Sequence, residues 1–437
     1  MPISIREHLK HRPATSKELQ SATGLSQVAV SRQLRRMGDA IIKLKLGRSP
    51  LYAMTRNAFG GDDKLPLFMV DAHGNNTAVA RIRPLAHGGF FVEQEIGLPS
   101  VLLGHRKNGL YDDLPYFLDD LRPQGFLGRH IAEEMASQSE DFPSDPRRWN
   151  TNHVGRYLTS NGDDLPGSFK FGQQAHLRVR RKPTITSQND YPDLADSVMN
   201  GVIPGSSAGG EQSKFTAFCN HRSAHVIVKF SPKGNDTVAR RWRDILITEF
   251  HATEAIHNQG FPAAETMLIE NDGRLFLESQ RFDRTGEYGR MPMISLQSVD
   301  AEFTGLGSDW PRTMAALFSQ KLISAHHLHD AQWLWSFGKL INNTDMHLGN
   351  LSLGIEGDVF RILPIYDMCS MGFAPKSGDT LPYEFIPPKP IDFNFPAPTA
   401  KIVMKAAHGF WESVKNDERI SDEFRKYLQR GNPIDSI

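Results

Sequence analysis

Cysteine is nearly missing from these 437 residues. The two present, Cys219 and Cys369, lie far apart and form no metal-type spacing, so a disulfide framework is excluded and a reducing, cytoplasmic setting is expected. No apolar run of membrane-spanning length occurs, and the opening stretch MPISIREHLKHRP lacks the apolar core of a secretory signal. Net charge is also absent, since 50 Lys/Arg offset 50 Asp/Glu. What is present is globular in proportion, 39% hydrophobic and 23% charged, on a chain long enough for about three domains.

The zero net charge hides an uneven distribution. Residues 1–56 carry eleven Lys/Arg against three acids, which leaves the remainder equally acidic. A basic head on an acidic body points to a polyanionic partner. Thr15-Ser16-Lys17-Glu18 has the form of a capping box, and Gly24 suits the left-handed turn that ends the helix it opens. Ser26 caps a second helix, SQVAVSRQLRRM, whose apolar positions Val28, Val30, Leu34 and Met37 leave Gln27, Ser31, Arg32, Arg35 and Arg36 on another face, with Gly38 as a stop. IIKLKL, the turn Gly47-Arg48-Ser49-Pro50 and LYAM read as a hairpin. The whole is expected to be a winged helix-turn-helix over 1–58. Gln27, Ser31 and Arg32 would face bases, Arg35 and Arg36 would lie on the same DNA-binding surface, and Lys43, Lys45 and Arg48 would meet phosphates, with a homodimer if the DNA site is specific. A small basic helical domain for protein contacts is the alternative.

The middle of the chain is less informative. VARIRPLAHGGFFVEQEIGLP has strand character, YFLDDLRPQGFLGRHIAEEM begins in turns and finishes helical, and RVRRKPT reads as a solvated segment. Chemistry begins at GVIPGSSAGGEQSKFTAF, a Gly/Ser loop entering a strand, whose backbone N–H groups could cradle phosphates; taken alone it reads equally as a plain flexible loop. It is not a Walker A motif, because Glu211 stands where that motif needs lysine. HVIVKFSP sets Lys229 inside an apolar strand, either snorkelling or holding phosphate, and RRWRDILITEFHATEAIHNQG reads as a helix containing Glu249. A strand lysine followed by a helix glutamate is how kinases hold ATP phosphates. RLFLESQRFDR reads as the strand that leaves this lobe.

Residues 341–350, INNTDMHLGN, contain Asp345, His347 and Asn350, and VFRILPIYDMCS sets Asp367 at the end of an apolar strand. Phosphoryl transfer needs such a set: one aspartate to accept the proton of the attacking hydroxyl, and an asparagine and a second aspartate to hold Mg²⁺. The bland alternative is a polar turn with ordinary Asx capping.

Over roughly residues 65–430 the chain resembles the HipA family of bacterial kinase toxins. Ser207-Ala-Gly-Gly210-Glu-Gln212-Ser-Lys214 is similar to that family's S-x-x-G-x-Q-x-K loop, and Gln280-Arg281-Phe282-Asp283-Arg284 is similar to its hinge segment, with Gln280 where an acid is usual. The resemblance implies ATP contacts at Ser207, Gly209, Gly210, Lys214, Lys229, Gln280 and Phe282. It implies autophosphorylation at Ser207, with Ser206 as a second acceptor, Asp345 as base, His347 as its orienting partner, and Asn350 and Asp367 as Mg²⁺ ligands. It further implies a protein substrate, an aminoacyl-tRNA synthetase in known cases, and a separate antitoxin partner.

The expected fold is α+β: a winged helix-turn-helix (1–58), a HipA-type N-terminal subdomain (59–185), a kinase N-lobe (186–285) and a mostly helical C-lobe (286–437). His326, His327, His329 and Asp330 read as a polar helix end rather than a zinc site, Trp333, Trp335 and Phe337 as C-lobe core, and YEFIPPKPIDFNFPAP as a loop. The function expected is an ATP- and Mg²⁺-dependent Ser/Thr kinase that binds DNA. The alternatives are an ATP-sensing regulator without transfer and a small-molecule phosphotransferase.

Overall fold

The computed structural model describes residues 3–437 except 45–48, 96, 162–163, 175–176, 178–181, 201–211, 377, 390–396 and 436. Two units divide the chain: residues 1–71, 75–122 and 148–180 form one, and residues 72–74, 123–147 and 181–437 the other.

The first unit opens with α1 (Ile5–His11), β1 (Ala14–Thr15), α2 (Ser16–Thr23), α3 (Gln27–Arg36), β2 (Ile41–Leu44) and β3 (Leu51–Met54). Helix α1 has no counterpart in the sequence reading. It is only seven residues long, and Ile5 and Leu9, one turn apart, bury its inner face. The expected capping box is present, with Thr15 N donating to Glu18 Oε2 at 2.6 Å, and α2 stops at Gly24 with φ of 71°. Val30 and Leu34 anchor α3 beside Leu19, and the hairpin β2–β3 takes β1 on its free edge, giving the order β1-β3-β2. Lys45 and Arg48, expected to meet phosphates, lie outside the described residues.

The same unit continues through β4 (Leu65–Val70), β5 (Asn76–Pro84), β6 (Phe90–Gln94) and β7 (Leu110–Tyr111). After α4 (Gly125–Gln138), which belongs to the second unit, come α5 (Thr151–Ser160) and β8 (Phe169–Phe171). These strands form an antiparallel sheet in the order β7-β6-β5-β4-β8. Arg83, almost wholly buried, ties this sheet to the N-terminal helices. Its guanidinium donates to Asp39 O at 2.7 Å and Asp63 Oδ2 at 2.9 Å and pairs with Glu93.

The second unit starts with β9 (Ile185–Thr186), α6 (Tyr191–Asn200), β10 (Lys214–Cys219), β11 (Ala224–Phe230), α7 (Thr237–Asn258), β12 (Thr266–Asn271) and β13 (Arg274–Gln280). The sheet order is β12-β13-β11-β10-β9, antiparallel except for the β9–β10 pair. Strand alternation splits its side chains between two faces. Val226, Val228, Phe230 and Phe276 pack under Tyr191 and Ala195 of α6, so the residues between them, Ile227 and Lys229, point to the other face. There α7 crosses, 22 residues long and capped by Asp236.

Short strands β14 (Arg284–Thr285), β15 (Gly289–Arg290) and β16 (Ile294–Ser295) lead into α8 (Leu296–Phe303), α9 (Trp310–Ser319) and α10 (Ala325–Leu340). Strands β17 (Ser352–Glu356) and β18 (Val359–Ile362) complete a sheet in the order β16-β17-β18, and α11 (Ala397–Asn416) and α12 (Asp422–Leu428) finish the chain. Trp333, Trp335 and Phe337 of α10 are buried, as expected of core residues. No helix among the described residues is long and apolar enough to cross a membrane.

Candidate active site

A lysine ammonium is seldom buried without anionic partners. Lys229 of β11 is 4% exposed, and its Nζ lies 2.5 and 2.7 Å from the Glu249 carboxylate oxygens and 2.5 Å from Asp367 Oδ1. Glu249 reaches it from the middle of α7, and Lys214 pairs in register with Lys229 on the neighbouring strand. Burial disfavours the Lys229 ammonium, but the carboxylates of Asp367 and Glu249 outweigh it and hold its pKa above the ordinary value. Burial would likewise raise Asp367, yet Lys229 and Lys214 draw its carboxyl down to about 2. Glu249, sharing the same ammonium with Asp367, is pushed up, chiefly by burial. Two carboxylates therefore divide one lysine, and Asp367 keeps its charge most firmly.

Asp345 and its neighbours follow the end of α10. Gly338 allows that helix to sit against them, because a Cβ there would stand 2.3 Å from Met346 Sδ and 3.0 Å from Met368 Sδ. Asn343, buried, accepts from Asp345 N at 3.0 Å, and Asn350 Nδ2 donates to Asp345 O at 2.7 Å, closing the loop between them. His347 Nδ1 accepts from Gly349 N at 3.1 Å, which puts the proton of a neutral ring on Nε2, 3.8 Å from Asp345 Oδ1. Trp310 Nε1 donates to His347 O at 2.9 Å and fixes the backbone there. Burial raises the Asp345 carboxyl, partly offset by His347. Even so, the Asp345 side chain is 54% exposed, so this edge of the cluster opens to solvent.

Asp367 does not end a strand as the sequence suggested. β18 stops at Ile362, and the chain then runs irregularly, held by Ala264 N donating to Ile365 O at 2.8 Å and by Ser370 N donating to Thr248 Oγ1 at 3.1 Å. Asp367 itself has φ of 53°, a left-handed conformation that costs a non-glycine residue about 1 kcal/mol or more. The turn aims its carboxylate back at Lys229. Tyr366 anchors it, donating to Gly349 O at 3.1 Å and lying 2.7 Å from Ser352 Oγ.

Phe282 sets its ring 5.7 Å from that of Tyr366, tilted by 34°, and Gln280 ends β13 with its N–H donating to Glu265 O. Between and beyond them, Asp283 is clasped by Arg281, at 3.0 Å, and by Arg284, which makes the RFDR run a buried salt-bridge knot. Ser206, Ser207, Gly209 and Gly210 lie outside the described residues. In the first unit, Gln27, Val28, Ser31, Arg32, Arg35 and Arg36 line one shallow depression on α3, and Lys43 is exposed on β2. Val28 was expected to face the core. It is 67% exposed and belongs to this polar face, because burial of Val30 and Leu34 leaves it on the outside of the helix.

The sequence reading missed Asn343, Tyr366, Thr248 and Trp310, which position the site rather than form it. Asn342-Asn343, two amides directly after an apolar helix, was the available signal for the first. Also missed was a convergence away from this site, where Cys219, His221 and Glu278 bring their donor atoms within 4.8 Å of one another.

Residues 61–180 match the family described as YjjJ-like toxin, middle domain, and residues 206–406 match the HipA-like C-terminal domain. Toxin YjjJ of Escherichia coli (strain K12) is 34% identical over 427 residues, covering 95% of this chain and 94% of that protein. Among solved structures, a chain of the Shewanella oneidensis MR-1 toxin–antitoxin complex of HipA, HipB and operator DNA superposes with a TM-score of 0.53 at 16% identity. It covers 85% of this chain and 92% of that one, a likeness of fold.

Proposed function

The chain belongs to the YjjJ-like toxin family, with a HipA-like C-terminal domain, and from that premise we propose that it is an ATP- and Mg²⁺-dependent serine/threonine protein kinase. The observation that carries the reading is Lys229 held between Glu249 and Asp367. Glu249 fixes the lysine so that its ammonium meets the phosphates of ATP, with Lys214 adding positive charge nearby. Asp345, more basic than an ordinary surface carboxylate, takes the proton of the attacking serine or threonine hydroxyl. His347 orients it. The hydroxyl oxygen bonds to the γ-phosphorus, the bond from that phosphorus to the β–γ bridging oxygen breaks, and ADP leaves with the electron pair.

Asn350 and Asp367 offer oxygen donors, and an Asp367 carboxylate ionised well below neutral pH fits a hard cation such as Mg²⁺. Bound there, Mg²⁺ supplies charge neutralisation for the transferring phosphoryl group. The cluster holds a surplus of carboxylates over cations, which is what such a cation would balance. Gln280 and Phe282 would border the nucleotide base. Ser207, with Ser206 beside it, is the proposed autophosphorylation site, where a phosphate adds about two negative charges near those of ATP and opposes its binding.

We read the N-terminal helices and hairpin as a winged helix-turn-helix that binds DNA through Gln27, Ser31, Arg32, Arg35, Arg36 and Lys43, with Lys45 and Arg48 at the wing. The exposed polar face of α3 supports this. The solved assembly of HipA with HipB and operator DNA supports an antitoxin partner, and a protein substrate is what the resemblance to the HipA family implies.

The test is transfer from γ-labelled ATP with Mg²⁺ by the full chain, with the acceptor mapped by mass spectrometry. Label on Ser207 or Ser206, absent in Asp345→Asn, is expected. ATP binding without label on the chain or on added protein substrates would overturn the kinase reading in favour of an ATP-sensing regulator, and label on small molecules alone would favour a small-molecule phosphotransferase.

A further inference from the structure

The far face of the β9–β13 sheet holds a second buried charge. Glu278 of β13 is 0% exposed and shares its face with Phe276, beneath α6. A carboxylate in such surroundings demands partners. Tyr191 OH donates to Oε2 at 2.6 Å, and Gln188 Nε2 lies 3.5 Å from the same oxygen. Arg222 Nε stands 2.9 Å from Oε1 as an ion pair, yet neither of those two buried atoms completes a hydrogen bond. Cys219 Sγ, fully buried at the end of β10, lies 3.6 Å from Oε2. His221, two residues further on the β10–β11 turn, sets Nδ1 2.5 Å from that sulfur and Nε2 3.2 Å from Glu278 Oε1.

We propose that Cys219, His221 and Glu278 form a transition-metal site of the zinc class, separate from the phosphoryl-transfer site and independent of the kinase reading. One thiolate, one imidazole and one carboxylate are the donor types that Zn²⁺ takes, with a fourth position left to water or to the Gln188 amide. They come from β10, its turn and β13, which places the ion where it would lock the turn onto the sheet. Tetrahedral zinc holds sulfur and nitrogen ligands about 3.5 Å apart. The 2.5 Å contact must therefore open by rotation of the His221 ring, which is 33% exposed and on a turn that leaves it room. Ligation takes the thiol proton to solvent and leaves the sulfur as thiolate. Glu278 Oε1, ion-paired with Arg222 but without a completed hydrogen bond, is the carboxylate oxygen that would face the ion.

The experiment is a Co²⁺ titration of the full chain after chelator treatment, followed by Zn²⁺ displacement. One equivalent should bind with a near-ultraviolet thiolate-to-cobalt band, and Zn²⁺ should abolish that band. His221→Ala should weaken binding by more than the roughly 100-fold that loss of an outer-shell partner costs. Cys219→Ser should eliminate the thiolate band. Circular dichroism melts check that each variant is folded, and because the half-exposed turn position of His221 tolerates alanine, that variant decides if the buried cysteine variant fails to fold. Absence of the band in the parent chain, or a His221→Ala affinity equal to the parent's, overturns the site.

Discussion

The two faces of the β9–β13 sheet each bury a charge, and they do so in opposite ways. On the α7 face a lysine sits among carboxylates, two of them touching it, and the cluster runs on to Asp345 at the surface. On the α6 face a carboxylate sits among donors, Tyr191, Arg222 and His221, and nothing of it reaches solvent. A buried ion alone therefore does not mark a reaction site. What distinguishes the α7 face is surplus negative charge and an open edge, the conditions that the proposed entry of ATP phosphates with a divalent cation and approach of a hydroxyl would need.

The two faces should differ most in chemistry. Asp345→Asn should lower phosphoryl transfer by roughly 10²–10⁴-fold, the usual worth of a general base, while the melting temperature stays put because the side chain is half exposed. Next comes stability. Lys229→Met leaves Glu249 and Asp367 without their cation and should cost about 3–5 kcal/mol in denaturant unfolding, whereas Glu278→Gln, which keeps its shape and its hydrogen-bonding oxygen, should cost about 1–3 kcal/mol. Equal losses would erase the asymmetry between the faces. The smallest effect is in acid. Asp367 has a folded pKa of about 2 against an ordinary 3.8, so its contribution is complete above pH 3.8 and disappears as pH falls through 2. Asp367→Asn should therefore unfold with a shallower dependence on pH across that window.

Much of the α7 face was legible in the residues. Lys229 in an apolar strand, Glu249 in a long amphipathic helix, and Asp345 and Asn350 five apart are local patterns, and local patterns survive folding. The N-terminal helices were legible for the same reason, since Thr15, Gly24 and Ser26 punctuate them. The geometry of Asp367 was not. An apolar run predicts a strand, but Pro364 and tertiary bonds to Pro262, Ala264 and Thr248 draw the chain into a left-handed turn. Val28 shows the limit of apolar counting, because a short helix has only one buried stripe and Val30 and Leu34 already fill it. The α6 face was least visible. Cys219-Asn-His221 is too brief a motif to distinguish, and Glu278 joins it only through strand pairing that brings residues 59 apart together.

Nucleotide binding by the α7 face through a cation held by Asp367 can be read from calorimetric titration of ATP into the full chain with and without Mg²⁺. One ATP per chain is expected, bound only when Mg²⁺ is present and lost in Asp367→Asn. Binding of equal strength without Mg²⁺, or undiminished in Asp367→Asn, would contradict it.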